Sequence, residues 1–132
     1  MSEIDCLLDT NFIPGLLKSS PETLAPINER QTESFQCAYS AIKRMELLGF
    51  PGITPAEETL IQEKLARLAC QPMTSTVEDI AIRLRRTYRV KLPDAIIAAS
   101  ALAVGAELLT FDAQLRKLVA DEIAAQPASN SR

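Results

Sequence analysis

The chain contains no histidine, and that absence removes whole classes of chemistry. There is no imidazole to act as general base, no Ser-His-Asp or Cys-His relay, and no access to the commonest zinc ligand. Cysteine is sparse and odd in number: Cys6, Cys37 and Cys70 are widely spaced among apolar residues. Such spacing predicts small core thiols in a reducing compartment and not a disulfide framework. Positive charge is not in excess either, with 14 Lys and Arg against 17 Asp and Glu and a formal net charge of -3. A polyanion partner must therefore be met by a local patch. No segment is apolar for long enough to span a bilayer, and the opening MSEIDCLLD is acidic where a secretory leader is basic. These absences predict a soluble, cytoplasmic protein with no membrane association. Internal repeats, low-complexity segments and interdomain linkers are missing too. The 132 residues, 47% of them hydrophobic, therefore predict one domain over residues 1–125, large enough to bury a core.

What is present is organised around residues 92–112, LPDAIIAASALAVGAELLTFD. Pro93 suits the first helical position, where its missing N–H would be unpaired anyway. Asp94 follows in the first turn. The run AIIAASALAV is apolar nearly all round and rich in alanine, which predicts a helix buried between a sheet and other helices. Gly105 ends it. ELLTF then reads as a short strand, so that Asp112 lies just past a strand's C-terminal end, the functional edge of a parallel sheet. Taken singly, Asp94 could simply complement a helix dipole, and Asp112 could simply cap the next helix.

Other acids approach the same edge. Residues 4–8, IDCLL, predict a first strand ending at Asp9, with Thr10 and Asn11 able to cap a helix made short or irregular by Pro14-Gly15. Residues 22–31 look helical, and 35–39, FQCAY, look like a second strand. Ser40 is a good N-cap for AIKRMELLGF, whose apolar face is Ile42, Met45 and Leu47 or Leu48, with Glu46 at the edge of that stripe. Thr54-Pro55-Ala56-Glu57 forms a capping box opening a long amphipathic helix through Cys70, marked by Leu60, Ile61, Lys64, Leu65 and Leu68. QPMT reads as a minimal third strand. Ser75 or Thr76 then caps VEDIAIRLRRTY, whose buried side is Val77, Ile80, Ala81 and Leu84. A final helix covers 113–125, and QPASNSR is expected to be a disordered polar tail. Strand-helix alternation makes this an α/β domain with a short parallel sheet of about four strands and helices on both faces.

Asp9, Glu46, Asp94 and Asp112 would then face one edge. Four carboxylates without histidine describe a hard-cation site for Mg²⁺ or Mn²⁺. Such an ion suits metal-assisted hydrolysis of a phosphodiester, a nuclease-type chemistry. Arg83, Arg85, Arg86, Arg89 and Lys91 form the chain's one strongly basic run and lead directly to Asp94. Arg83, Arg86, Arg89 and Lys91 are candidates for holding the phosphates of a nucleic acid, with a solvated helix face as the alternative.

The stretches LLDTN at 7–11, SAIKRMELL at 40–48 and LRRTYRVKLPDAIIAASALAVGAELLTFD at 84–112 resemble the motifs of PIN-domain ribonucleases, most closely the VapC-type toxins of bacterial toxin-antitoxin pairs. The resemblance covers roughly residues 4–118. It implies a PIN-like three-layer α/β/α fold, with the family's acids at Asp9, Glu46, Asp94 and Asp112. It further implies Mg²⁺- or Mn²⁺-dependent endoribonuclease activity, a homodimer, and a cognate antitoxin whose C-terminal segment lies across the active site. Asp9 and Asp94 would be the principal metal ligands, and Asp112 and Glu46 would complete the site directly or through water. Thr10, Asn11, Ser40 and Thr110 would orient these carboxylates, unless they serve only as caps. The chain departs from the pattern at Pro14-Gly15, which interrupts a helix, and at its C-terminus, which offers no final strand. Two rival readings are a phosphoacceptor receiver-type signalling domain, disfavoured because Asp9 stands without a second acid, and a non-catalytic PIN-like binding module.

Overall fold

The computed structural model describes residues 4–9 and 37–125. The irregular helix near Pro14-Gly15, the helix over 22–31, the roles of Thr10 and Asn11 and the 126–132 tail all lie outside the described residues. Within them, β1 (Cys6–Leu8), β2 (Cys37–Ser40), β3 (Ala69–Gln71) and β4 (Glu107–Leu109) form one parallel sheet in the order β3-β2-β1-β4. The helices are α1 (Ala41–Leu48), α2 (Pro55–Leu65), α3 (Ser75–Tyr88), α4 (Leu92–Val104) and α5 (Ala113–Ala125).

The three-residue strand β1 holds because it is central in the sheet and fully buried. Cys6, Leu7 and Leu8 are each 0% exposed, and strand side chains alternate between the two sheet faces. Leu7 and Ala38 join a core built from α3, α4 and α5, including Leu84, Ile97, Leu115 and Leu118. Cys6, Leu8, Tyr39 and Leu109 face the other way, onto Leu65 of α2, with Ile61 and Leu47 packed alongside. Two cores on opposite faces of one sheet make the three layers that the sequence predicts.

The alanine-rich helix α4 is the middle of the larger core, with Ala95 to Ala101 all buried. Its small side chains let α3 and β1 come close, and Gly105 ends it in the left-handed region at φ 68°. α2 opens on the expected capping box, with Thr54 Oγ1 accepting from Glu57 N–H and Glu57 Oε1 accepting from Thr54 N–H. Five local expectations shift. α2 stops at Leu65, and the third strand is 69–71, not QPMT, because Ala69–Gln71 pairs with Ala38–Ser40 while Pro72 lacks an N–H to donate. The cap of α3 is Thr74, whose hydroxyl accepts from Val77 N–H. α4 begins at Leu92, placing Pro93 second. On α1 it is Lys43 that is buried, while Met45 is 58% exposed.

The cysteines divide as well. Cys6 is buried, Cys37 is half-buried and Cys70 is exposed, all as free thiols. Among the described residues no helix is long and apolar enough to cross a membrane.

Candidate active site

From β1 the chain moves outward to β2 and β3, then crosses back to place β4 on β1's other side. The order reverses between β1 and β4, and in open parallel sheets a crevice forms beyond the carboxyl ends of strands at such a point. Asp9 is the first residue after β1, and its N–H donates to the Leu109 carbonyl at 2.9 Å, so both strand ends are tied together. Asp9 and Thr110 are each only 4% exposed.

Thr110 links the acids of the two strands. Its hydroxyl donates to Asp9 Oδ2 and accepts from the Asp112 N–H at 2.9 Å. That uses its single proton on a carboxylate and one of its lone pairs on an amide. Arg116 of α5 donates from Nη2 to the Thr110 carbonyl at 2.9 Å, fixing the end of β4 from the helix side. Asp112 is also the N-cap of α5, with Oδ1 accepting from Gln114 N–H at 2.9 Å and Leu115 N–H at 3.2 Å. The capping role and the position at the sheet edge therefore coexist.

Asp94 enters from the first turn of α4. Its carboxyl is pushed above the usual aspartate range, first by burial, then by the negative charges of Asp9 and Asp112, with Glu46 adding a smaller push and Lys91 opposing. One side chain thus experiences all three other acids, brought from β1, β4 and α1. Glu46 is ion-paired to the buried Lys43, whose Nζ lies 2.9 Å from Oε1. Among the described residues no group of three or more acids is drawn tightly enough to hold an ion directly. Coulomb coupling reaches further than coordination, and two of the four carboxylates spend an oxygen on Lys43 or on the α5 amides. An all-oxygen donor set of like charge is the chemistry that a hard divalent cation prefers.

The remaining predicted positions behave differently from one another. Ser40 holds the N-cap position of α1 without capping it, and the nearby buried hydroxyl is that of Ser100, at 3.4 Å. Arg83 is ion-paired to Glu122 at 2.8 Å, and Tyr88 donates to the same carboxylate at 2.7 Å, so Arg83 fastens α3 to α5. Arg86, Arg89 and Lys91 are exposed, and only Lys91 is near enough to Asp94 to lower its pKa. Arg89 ends α3 in the left-handed region, φ 59°. Sequence reasoning missed Lys43 and Arg116. The i,i+3 spacing of Lys43 and Glu46 was a usable signal for the first. Nothing in the sequence marks Arg116, whose partner is a backbone carbonyl. A cavity of about 670 Å³ lies between β4 and α5 and contains none of the four acids.

The family model of the PIN domain matches residues 6–120. The chain belongs to the PIN-domain family. Membership sets aside the receiver-domain reading. This PIN domain is similar in structure to "Toxin-antitoxin complex from Klebsiella pneumoniae", with 28% identity, TM-score 0.70, and 82% of this chain and 87% of the other covered. It is also similar to VapBC-1 from nontypeable Haemophilus influenzae, at 21% identity and TM-score 0.76, covering 89% and 94%. A third likeness is to VapBC2 from Rickettsia felis bound to a promoter DNA fragment, at 19% identity and TM-score 0.73, covering 86% and 92%. A comparison with curated proteins finds no match. The PIN domain shares its fold with these structures.

Proposed function

We propose that this PIN domain is a metal-dependent endoribonuclease, the toxin of a VapC-type toxin-antitoxin pair, hydrolysing RNA phosphodiester bonds with Mg²⁺ or Mn²⁺. The observation that carries the reading is Asp94 under the combined charge of Asp9, Asp112 and Glu46. Like charges are not gathered at a protein surface without cost unless a cation offsets them. Asp9 and Asp94 are the residues to hold the ion, with Asp112 and Glu46 completing its surroundings directly or through water. Bound there, a divalent cation neutralises phosphate charge and makes water a better nucleophile.

The chain's own residues do the rest. Thr110 fixes the orientation of Asp9 and the position of Asp112 together, and Arg116 holds the strand end from which Thr110 acts. Lys91, whose charge lowers the pKa of Asp94, and the exposed Arg86 and Arg89 would hold RNA phosphates leading into the site, which the acidic chain otherwise repels. Partners are RNA, a cognate antitoxin and a second copy of this chain, and the setting is the cytoplasm. The neighbour described as a toxin-antitoxin complex supports the antitoxin. The nuclease unit spans residues 1–125.

Incubation of single-stranded RNA with the purified protein tests the reading. Cleavage is expected with Mg²⁺ or Mn²⁺, lost in excess EDTA, and lost in Asp94→Asn while that variant remains folded. Expression without a partner is expected to arrest growth, and Asp94→Asn to release the arrest at equal protein levels. Cleavage that persists in EDTA overturns the metal-dependent assignment. An intact fold with no cleavage under any divalent cation favours the binding-module reading.

A further inference from the structure

Cys6 and Cys37 lie directly opposite one another on neighbouring parallel strands, in register as Cα partners. Their side chains share the sheet face that packs on α2. The Cys6 thiol donates to Cys37 Sγ at 2.8 Å. Neighbouring strands run about 4.8 Å apart, within the Cα separation that a disulfide bridges. Closing the sulfurs from 2.8 Å to a bonded length of about 2.05 Å asks for a contraction of less than roughly 1 Å. Two thiols, not one, are held in contact, and the site already described uses neither.

We propose that Cys6 and Cys37 form an oxidisable dithiol that a peroxide converts to an intramolecular disulfide across β1 and β2. Cys37 is the attacking thiol. It is half-buried where Cys6 is fully buried, and the hydrogen bond it accepts from Cys6 lowers its pKa. That same bond, then burial and the charge on Cys37, with smaller pushes from Glu107 and Asp5, raise the Cys6 thiol, so Cys6 stays protonated and keeps donating. In the first step the Cys37 thiolate attacks one peroxide oxygen, the O–O bond breaks, and Cys37 becomes a sulfenic acid. The departing hydroxide takes up the proton that Cys37 had released and leaves as water. In the second, Cys6 sulfur attacks the sulfenic sulfur as its own proton goes to the departing hydroxyl, which leaves as a second water. Two thiols lose two electrons in total and the peroxide gains them. The product closes residues 6–37 into a covalent ring. Disulfides in reducing compartments are typically transient and redox-sensing, and this pair has the required proximity without a permanent bond.

Hydrogen peroxide treatment of the purified full chain tests this. The oxidised monomer should be lighter by two hydrogens and yield a disulfide-linked peptide pair containing Cys6 and Cys37. Dithiothreitol should reverse both changes. The melting temperature should rise by roughly 5 °C or more on oxidation, because the closed ring restrains the unfolded chain. Cys70→Ser should behave as the wild type. Cys37→Ser should lose both the linked peptide and the rise in melting temperature. If that variant fails to fold, alkylation of denatured wild-type protein is the independent readout: after oxidation Cys6 and Cys37 should both be blocked. Cysteines 6 and 37 that remain fully alkylatable after peroxide overturn the proposal, as does oxidation confined to Cys70.

Discussion

Thr110 donates its hydroxyl hydrogen to the carboxylate of Asp9, joining residues 101 positions apart in the chain. The same oxygen accepts from the Asp112 amide, so one small side chain orients one acid and seats the backbone of another. Thr110→Val keeps the shape and removes both bonds, so the buried Asp9 carboxylate accepts one hydrogen bond fewer. Nuclease activity should fall by about tenfold or more, the scale seen when a partner that orients a metal ligand is lost. Stability should fall by about 1–3 kcal/mol. Thr110→Ser, which retains the hydroxyl, should recover most of both. Activity assays and thermal melts on the two variants are the check, and equal activity in the valine variant would show that Thr110 has no positioning role.

Asp94 should behave as a residue whose charge opposes folding until a cation binds. Burial and three neighbouring carboxylates raise its pKa. Its ionised form is therefore less favourable in the folded than in the unfolded chain, so this contribution is lost as pH rises through the raised value. In EDTA at neutral pH, Asp94→Asn should be at least as stable as wild type, with a gain on the order of 1 kcal/mol or less because the group is partly exposed and screened. Mg²⁺ should raise the wild-type melting temperature more than the variant's. A variant that melts clearly lower in EDTA and responds equally to Mg²⁺ would make Asp94 a structural residue.

Arg89 occupies a left-handed backbone position at the end of α3, where glycine costs less. Arg89→Gly should therefore stabilise the fold, by about 0.5–1 kcal/mol. RNA binding should move the other way and weaken, with a shallower salt dependence, if the guanidinium holds a phosphate. Denaturant melts and RNA titrations over a salt series separate the two effects. Unchanged RNA affinity and salt slope would reduce Arg89 to a helix cap.

The ion pair between Arg83 and Glu122, with Tyr88 on the same carboxylate, has a defined pH signature. Arg83 and the Tyr88 hydroxyl hold Glu122 below the usual glutamate range. A depressed carboxylate pKa contributes stability above the unfolded value, and that stability is lost as pH falls through the folded one. Glu122→Gln should cost about 1–2 kcal/mol at neutral pH, allowing for the half-exposed arginine. The difference from wild type should shrink in acid, below the ordinary glutamate pKa. Melts from pH 7 down to about pH 3 would show this, and a pH-independent difference would mean that packing alone is lost.

Most of the elements, and the acidic character of the candidate site, follow from local patterns. α4 was legible because Pro93, an unbroken small apolar run and Gly105 are local signals, and local signals survive without knowledge of the neighbours. The capping box at Thr54 and Glu57 was legible for the same reason. The absence of histidine excluded imidazole ligands before any geometry was known. Thr74 in place of Ser75 or Thr76, and β3 at Ala69–Gln71 in place of QPMT, were not legible, because caps and three-residue strands are chosen by pairing with other parts of the chain. The same limit applied to Lys43, which reads as a solvated helix charge yet is buried against Glu46. Arg83 read as one of five equivalent cations until Glu122, nearly forty residues later, claimed it. Whether Asp9, Glu46, Asp94 and Asp112 act on one another was likewise a matter for tertiary structure alone. Their meeting depends on the sheet order β3-β2-β1-β4, which sets the first and last strands side by side. Strand order follows from long-range packing of both sheet faces, and no local pattern encodes it.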